Sequence, residues 1–139
     1  MIIDATNLIV GRMATRAAKL ALLGEKIDIV NCEKAVITGS RRNVIEKYKR
    51  KRDLGHSPFK GPYFTRSADR FVKRIIRGML PYKKERGSKA LKRIKCHIGV
   101  PSEFENEKMI ATIKEANVSK LPNLKYVTIG EVSKEIGAK

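Results

Sequence analysis

Residues 64–93 constrain the fold of this chain most, because their first half predicts a helix with two opposed faces. Apolar residues recur at i, i+3, i+4 and i+7, the spacing of a buried helical stripe, and Ser67 stands where an N-cap is expected. The stripe consists of Ala68, Phe71, Val72, Ile75, Ile76 and Met79. The opposite face carries cations at the same spacing, namely Arg70, Lys73, Arg74 and Arg77. One face therefore has to meet a core, while the cationic row repels itself unless an anion lies against it.

Beyond this helix the chain becomes a basic connection. Gly78 and Pro81 predict the end of the helix, because proline cannot continue the hydrogen-bond ladder and glycine adopts backbone angles that other residues avoid. We predict an ordered loop over residues 81–90, followed by another helical turn over 90–94. The cations predicted to settle there on an irregular phosphate surface are Lys83, Lys84, Arg86, Lys89, Lys92 and Arg93. Gly78 and Gly87 would let that surface approach the backbone.

The distribution of charge along the chain tests a plainer interpretation, in which the helical stripe is only a solvated positive face. The 139 residues include 31 Lys and Arg against 14 Asp and Glu, a formal net charge of +17. Residues 41–95 contain 20 of the basic residues and 4 of the acidic ones, whereas the segments on either side are almost balanced. A chain made basic for solubility would spread the excess. The segregation instead favours a surface that binds a polyanion, above all a nucleic acid.

The N-terminal part of the chain predicts a helix over residues 8–23 that packs closely on its neighbours. Its inward side consists of Val10, Met13, Ala14, Ala17, Ala18 and Ala21. The small alanines allow a close approach to a sheet, and Gly24 follows in the place of a left-handed C-cap. Arg12 and Arg16 lie on the outer side and join the candidate binding surface.

Two apolar segments and a second helix follow. Residues 26–30 predict a strand, and residues 35–38 are apolar enough to be a buried parallel strand. The helix over 41–52 turns Val44, Ile45 and Tyr48 inward. Its outward cations, which we add to the candidate binding surface, are Arg41, Arg42, Lys47, Lys49, Arg50, Lys51 and Arg52.

The remaining elements complete an α/β pattern. Residues 94–98 and 124–129 predict strands, a short helix begins at Ser102, and Val132 with Ile136 indicates a last helical turn. This order predicts an α/β fold in a single domain of residues 1–139, with a sheet that is covered on both faces.

The loop over residues 53–62 carries His56 and Phe59 between glycines and prolines. Two interpretations of His56 stay open. In the first, it stacks on a base or forms a hydrogen bond with a phosphate. In the second, it is an ordinary exposed loop histidine.

The sequence offers no catalytic or metal-binding constellation. It has two histidines and lacks a nucleophile elbow, a Walker loop and a Gly-x-Gly-x-x-Gly turn. Cys32 and Cys96 have neither the spacing of a zinc site nor that of a disulfide framework, so we expect reduced thiols, no metal and no cofactor. The strand-to-helix turn at Gly39 and Ser40 could hold an anion on backbone amides, which is a weak signal for a nucleotide. Without an apolar run long enough for a membrane span or a signal-peptide pattern, we expect a cytoplasmic protein.

The residue types favour RNA over DNA as the polyanion. No helix-turn-helix, zinc-finger or zipper pattern is present, nor the aromatic signature of an RNA-recognition sheet. Aromatic residues make up 6% of the chain and tryptophan is missing, so base stacking is not the main mode of binding. Recognition of backbone and shape by Arg and Lys remains, and it suits a folded RNA on which phosphates crowd together.

Separate motifs, in matching order, resemble one known family. They are Ile-Asp-Ala at 3–5, Gly-Arg-Met-Ala at 11–14, Val-Asn-Cys-Glu-Lys-Ala-Val-Ile-Thr-Gly at 30–39, Arg-Gly-Met-Leu-Pro at 77–81, Arg-Gly at 86–87 and Ala90. Over most of its length the chain is similar to the universal large-subunit ribosomal protein family numbered thirteen, in its archaeal and eukaryotic form. It departs from the family at Cys32, where a small residue such as alanine is more usual. It also lacks a proline just before the basic helix, and residues 53–62 match only loosely.

This resemblance implies both a fold and a function. The implied fold is a three-layer α/β/α domain with a central, largely parallel four-stranded sheet. The implied function is that of a structural and early-assembly component that binds large-subunit ribosomal RNA, with neighbouring ribosomal proteins as partners. It also implies a place on the cytoplasmic ribosome, no catalytic role, no small-molecule substrate and no obligate homo-oligomer.

Two alternatives come from other classes of protein. A small cytosolic α/β enzyme acting on a nucleotide or RNA is supported only by the turn at Gly39 and by the fold type, and fold alone does not establish function. A free RNA-binding translational regulator is the other alternative.

Overall fold

The computed structural model describes residues 1–54, 61–104, 110–111 and 113–138. The strands are β1 (Ile2–Asp4), β2 (Ile27–Val30), β3 (Val36–Thr38), β4 (Ile94–Cys96), β5 (Ile110–Ala111) and β6 (Tyr126–Thr128). The α-helices are α1 (Val10–Leu23), α2 (Arg41–Asp53), α3 (Ala68–Met79), α4 (Glu85–Lys92) and α5 (Ile129–Glu135). Short 3-10 turns span Cys32–Lys34, Ser102–Phe104, Lys114–Ala116 and Val118–Lys120. His56 and Phe59 lie outside the described residues.

The strands form a parallel sheet and a separate antiparallel pair, which confirms a mixed α/β fold. In the parallel sheet β2 lies between β1 and β4, with Ile29 opposite both Ile3 and Cys96. The two-residue strand β5 pairs in parallel with β1 at the edge. The prediction that residues 35–38 form a parallel strand is wrong, because β3 pairs antiparallel with β6 and Ile37 lies opposite Val127. A short apolar run does not encode the direction of a partner strand that lies far along the chain.

Helix α1 has the buried face that the sequence predicts. All six of the inward residues are buried, and Gly24 ends the helix at a φ of 111°. The amide of Gly24 donates to the carbonyl oxygen of Ala21 at 3.2 Å, as expected for a left-handed C-cap. The alanine side chains are small, and two other helices, α3 and α4, pack on α1.

Asp4, at the end of β1, organises the turn that leads into α1. Its carboxylate accepts hydrogen bonds from the amide and hydroxyl of Thr6 at 3.0 and 2.7 Å and from the side chain of Asn31 at 3.0 Å. Burial raises the pKa of Asp4, but these hydrogen bonds together with the charge of Lys34 outweigh it, so the pKa lies below its ordinary value. The carboxylate therefore stabilises the folded chain in its ionised form.

Helix α3 buries most of its apolar face as predicted, but Ile75 is half-buried and the last residue is exposed. Phe71 is 1% exposed and packs on Tyr48 of α2 and on Phe64, with ring centroids 4.9 and 5.7 Å apart. Met79 is 42% exposed, so its assignment to the buried stripe is wrong. It is the last residue of the helix and lies at the edge of the core, where its sulfur accepts a hydrogen bond from the hydroxyl of Thr15.

The N-cap of α3 is Ser67, as predicted, but its hydroxyl donates to the carboxylate of Asp69 and caps no amide.

The predicted loop over residues 81–90 is a turn followed by helix α4, so the prediction is wrong from Glu85 onward. Glu85 lies in the first turn, and its carboxylate pairs with the Lys89 ammonium one turn later at 2.6 Å. Gly87 weakens the helical pattern in the sequence, yet no larger side chain fits there. A Cβ on Gly87 would overlap the carbonyl oxygen of Pro81.

A continuous core joins the N-terminal strands to the C-terminal helix. Its members run from Ile3 to Val132 and include the inward faces of α1 and α3. None of the described helices is long and apolar enough to cross a membrane.

Candidate nucleic-acid interface

A groove of about 460 Å³ runs along the outer face of α3, and we call it the α3 groove. It is lined by Tyr63, Thr65, Arg70, Lys73, Arg74, Arg77 and Leu91. The structure thus brings together the whole cationic row of this helix, because the opposite face of α3 is held in the core. Within the described residues, none of these four cations forms an ion pair with a carboxylate. The groove is therefore a site of uncompensated positive charge.

Aromatic rings hold two of the guanidinium groups in the α3 groove. Arg74 donates from Nη1 to the carbonyl oxygen of Tyr63 at 2.9 Å, and its guanidinium lies 4.9 Å from the ring centroid of Phe64. The Arg77 guanidinium lies 5.0 Å from the ring centroid of Tyr82. Such stacking fixes the planar donor group while leaving N–H edges able to meet phosphate oxygens. Arg74 and Arg77 are thus partly ordered before any ligand binds.

The two tyrosines at this site were missed by the sequence reasoning. Tyr63 is 61% exposed and Tyr82 is 42% exposed, and each directly follows a proline. Because aromatic residues make up only 6% of the chain, aromatic contacts were not expected at the binding surface. An aromatic residue after a proline in a basic segment is the signal that could have found them.

A second groove, of about 380 Å³, continues the cationic surface toward β4, and we call it the β4 groove. It is lined by Asp69, Arg70, Lys73, Lys95, Cys96 and His97. Arg70 and Lys73 line both grooves, so the surface is continuous around α3. Lys95 was not among the predicted contacts. His97 is held by Asp28, with 3.1 Å between Nε2 and the carboxylate oxygen.

The cations of α2 differ from those of α3 because acidic residues of α5 already engage some of them. Glu135 pairs with Lys49 at 2.9 Å and with Arg41 at 3.0 Å, and Glu131 lies 3.9 Å from Arg41. The hydrogen bond and charge of Lys49, and then those of Arg41, hold the pKa of Glu135 below its ordinary value. These two predicted contacts are therefore partly neutralised within the chain.

The rest of the α2 row lies mostly at the surface. Arg52 pairs with the adjacent Asp53 at 2.7 Å, and Lys51 lies over the ring of Tyr48. The side chains of Arg42, Lys47, Arg50 and Lys51 are exposed. They extend the positive surface without being brought into the α3 groove.

The predicted contacts around α4 are divided between surface and packing positions. The exposed cations are Lys83, Lys84, Arg86, Lys89 and Lys92. Lys89 is paired with Glu85. Arg93 is half-buried and donates to the carbonyl oxygen of Ala21 at 3.3 Å, which ties α4 to the last turn of α1. A cation at that end of a helix also interacts favourably with the helix dipole.

The remaining predicted residues lie apart from the α3 groove. Arg12 donates to the carbonyl oxygen of Glu115 at 3.2 Å, and Arg16 lines a small pocket with Lys114 on the same side of α1. Of the two predicted glycines, Gly78 is exposed with open space around it, whereas Gly87 is buried against Pro81. The structure gives Gly87 a packing role.

Over the parts of the chain that the structure describes, no three His, Cys, Asp or Glu residues are grouped so as to hold a metal ion. What the site offers is fixed positive charge and ordered guanidinium donors. Fold and site together define a mixed α/β protein that carries a surface of positive charge along α3.

The comparisons with known proteins agree with this class. The family model described as Ribosomal protein L13 matches residues 1–103. The chain is 48% identical over 139 residues to the large ribosomal subunit protein uL13 of Methanosarcina barkeri, covering 99% of this chain and 98% of that protein. It is 46% identical over 138 residues to uL13 of Methanococcoides burtonii, with coverage of 99% and 98%. It is 39% identical over 138 residues to uL13 of Haloarcula marismortui, with coverage of 99% and 91%. The chain belongs to the ribosomal protein L13 family, which confirms the resemblance seen in the sequence motifs.

Proposed function

We propose that this chain is a structural constituent of the large ribosomal subunit, where it binds large-subunit ribosomal RNA through a surface formed by residues 41–95 and supports subunit assembly. The names of the relatives point to the subunit. The observation that carries the RNA-binding surface is the α3 groove, in which Arg70, Lys73, Arg74 and Arg77 line one side of a helix without carboxylate partners among the described residues. Neighbouring ribosomal proteins are its expected protein partners.

RNA suits the α3 groove better than a small anion does. The groove is open to solvent, and the cationic surface continues beyond it to Lys95 in the β4 groove. A phosphate chain can meet several such cations at once and release its condensed counterions, which is the main source of affinity in this type of binding. The stacked guanidiniums lose little freedom on binding because their rings already position them.

The alternatives fare differently. Membership of the L13 family makes the chain a non-enzymatic structural protein, so the small α/β enzyme is set aside. No contact among the described residues favours the free translational regulator. The single domain over residues 1–139, the three-layer arrangement around a four-stranded sheet and the absence of an obligate homo-oligomer belong to this proposal. The continuous core from Ile3 to Val132 supports the first of them.

Salt-dependent binding to a large-subunit ribosomal RNA fragment tests the site. The variant that changes both Arg74→Gln and Arg77→Gln is compared with one that changes both Lys114→Gln and Lys120→Gln. Both variants lose two charges, but the second pair is exposed outside the basic segment. We expect the slope of log K against log salt concentration to become shallower by roughly 1.4–1.8 in the first variant and to stay unchanged in the second. Equal slopes in the two variants would contradict the assignment of the α3 groove.

Sedimentation of a cell lysate tests whether the protein is part of the large ribosomal subunit. The chain should migrate in stoichiometric amounts with large subunits and leave them only at high salt. If it stays in the supernatant at low salt, the structural role is wrong.

A further inference from the structure

The fold brings together two cysteines that stand far apart in the sequence. Cys32 opens the 3-10 turn that follows β2, and Cys96 ends β4, the strand beside β2. The amide of His97 donates to the carbonyl oxygen of Ile29 at 2.8 Å, and the amide of Cys32 donates to the carbonyl oxygen of His97 at 3.1 Å. The backbone of Cys32 is therefore bonded directly to the residue next to Cys96.

Both cysteines adjoin Ile29 of β2. The sulfur of Cys32 lies 3.5 Å from the carbonyl oxygen of Ile29, the residue that stands opposite Cys96 in the strand register. Cys32 belongs to the buried core, and Cys96 packs against that core from its edge. A hydrogen bond with the Cys96 thiol, and then burial, raise the pKa of the Cys32 thiol well above its ordinary value. The strand register and the contact with Ile29 thus place the two cysteines beside each other.

The two thiols differ in access. Cys32 is 0% exposed, whereas Cys96 is half-buried and lines the β4 groove. A dissolved reagent can reach Cys96 first, and Cys32 can then react only with a group already carried by Cys96. This order of events is that of an attacking and a resolving cysteine.

We propose that Cys32 and Cys96 are a modification site that closes reversibly into an intramolecular disulfide, independently of the RNA-binding role. The oxidant is a low-molecular-weight disulfide of the glutathione type. The Cys96 thiolate attacks one sulfur of the oxidant, which forms a mixed disulfide and releases one small thiolate. Cys32 gives its proton to the small thiolate released in the first step and attacks the Cys96 sulfur, which forms the protein disulfide and releases the second small thiolate, which takes a proton from solvent. Two protein thiols are oxidised to one disulfide while the small disulfide is reduced to two thiols.

The bond would enclose the whole basic segment. The loop between Cys32 and Cys96 contains α2, α3 and α4, and a disulfide that closes a long loop restricts the unfolded chain strongly. The oxidised chain would therefore keep the cationic surface folded when no RNA is bound to it. Cys96 lies beside Arg70 and Lys73 in the β4 groove, so RNA bound there would also shield the thiol from the oxidant.

Peptide mapping of the full-length protein tests the proposal. The reduced protein is equilibrated with buffers of increasing oxidised glutathione, the remaining thiols are blocked, and trypsin digestion is followed by mass spectrometry without reduction. We expect a protein lighter by two hydrogen atoms and a linked pair of peptides that cover residues 27–34 and 96–108. The melting temperature should rise by at least about 5 °C in the oxidised form and return on reduction.

Two variants separate the steps. Cys32→Ala should stop at the mixed disulfide on Cys96 and gain no thermal stability, because the resolving thiol is missing. Cys96→Ser should take up no glutathione under native conditions. If the wild-type protein instead accumulates the Cys96 mixed disulfide, forms disulfide-linked dimers or stays reduced in the most oxidising buffer, the proposal is overturned.

Discussion

Replacing Gly87 by alanine should destabilise the protein, although alanine favours helices and Gly87 lies inside α4. The new Cβ would overlap the carbonyl oxygen and carbon of Pro81 and would lie 2.9 Å from the amide nitrogen of Tyr82. These are backbone atoms, so no side-chain rotation relieves the overlap and α4 has to shift. Overpacking of this kind costs up to about 3 kcal/mol, and the helix propensity of alanine returns about 1 kcal/mol. The net expectation is a loss of about 2 kcal/mol in the free energy of unfolding.

Gly78 provides the matched control. It also lies in a helix beside the same turn, but a Cβ there meets nothing within 4 Å. Gly78→Ala should therefore leave the stability unchanged or raise it by up to about 1 kcal/mol. Urea unfolding followed by circular dichroism measures the free energy of unfolding of both variants. The comparison requires that the m value, the slope of this free energy against urea concentration, is unchanged.

If Gly87→Ala is as stable as the wild type, the close approach to Pro81 is not what requires a glycine. The RNA affinity of the stable Gly78→Ala variant tests a second prediction, that phosphate approaches the backbone at Gly78. A loss of affinity would support the predicted approach of phosphate to that backbone, and an unchanged affinity would remove it.

Other predictions concern charge, packing and pH. Glu135→Gln removes the ion pairs that Glu135 makes with Arg41 and Lys49, so it should strengthen RNA binding at low salt and steepen the salt slope by up to roughly 1.5, measured by filter binding. An unchanged slope would show that these two cations do not contact RNA. Phe71→Ala empties a fully buried aromatic site and should lower the free energy of unfolding by about 3–5 kcal/mol in urea titration, and a loss below about 1 kcal/mol would contradict the observed packing. Because the pKa of Asp4 is lowered by folding, its ionised carboxylate stabilises the protein above a pH of about 4, and this contribution is lost as the pH falls further. Asp4→Asn should be less stable than the wild type at neutral pH, with a smaller difference at pH values near 3, as measured by thermal unfolding.

The elements that the sequence predicts well are those whose information is local. Helix α1 repeats its apolar pattern over four turns and ends at a glycine, so both its buried face and its C-cap could be read from the residues. The cationic row of α3 follows from the same helical spacing. Its position in an open groove follows from the burial of Phe71 on the other side.

The elements that the sequence predicts poorly depend on partners far along the chain. The direction of β3 is set by β6, and nothing within residues 35–38 specifies it. Helix α4 was not predicted because Gly87 weakens the helical pattern. A glycine is needed at that position because the backbone of Pro81 lies too close for a Cβ atom. The meeting of Cys32 with Cys96 results from the pairing of β2 with β4, which spacing between cysteines cannot show. In each case the missing information is a tertiary contact.

The ion pairs divide the basic residues into two groups that charge counting treats as equal. Arg41 and Lys49 have carboxylate partners on α5, so RNA would have to replace an existing pair and gains less from each contact. Among the described residues, Arg70, Lys73, Arg74 and Arg77 have no such partner, so mutual repulsion along α3 is relieved only by solvent ions or by a polyanion. Release of those ions on binding is what makes affinity depend on salt. Substitutions in α3 should therefore weaken RNA binding more than substitutions of Arg41 and Lys49 in α2.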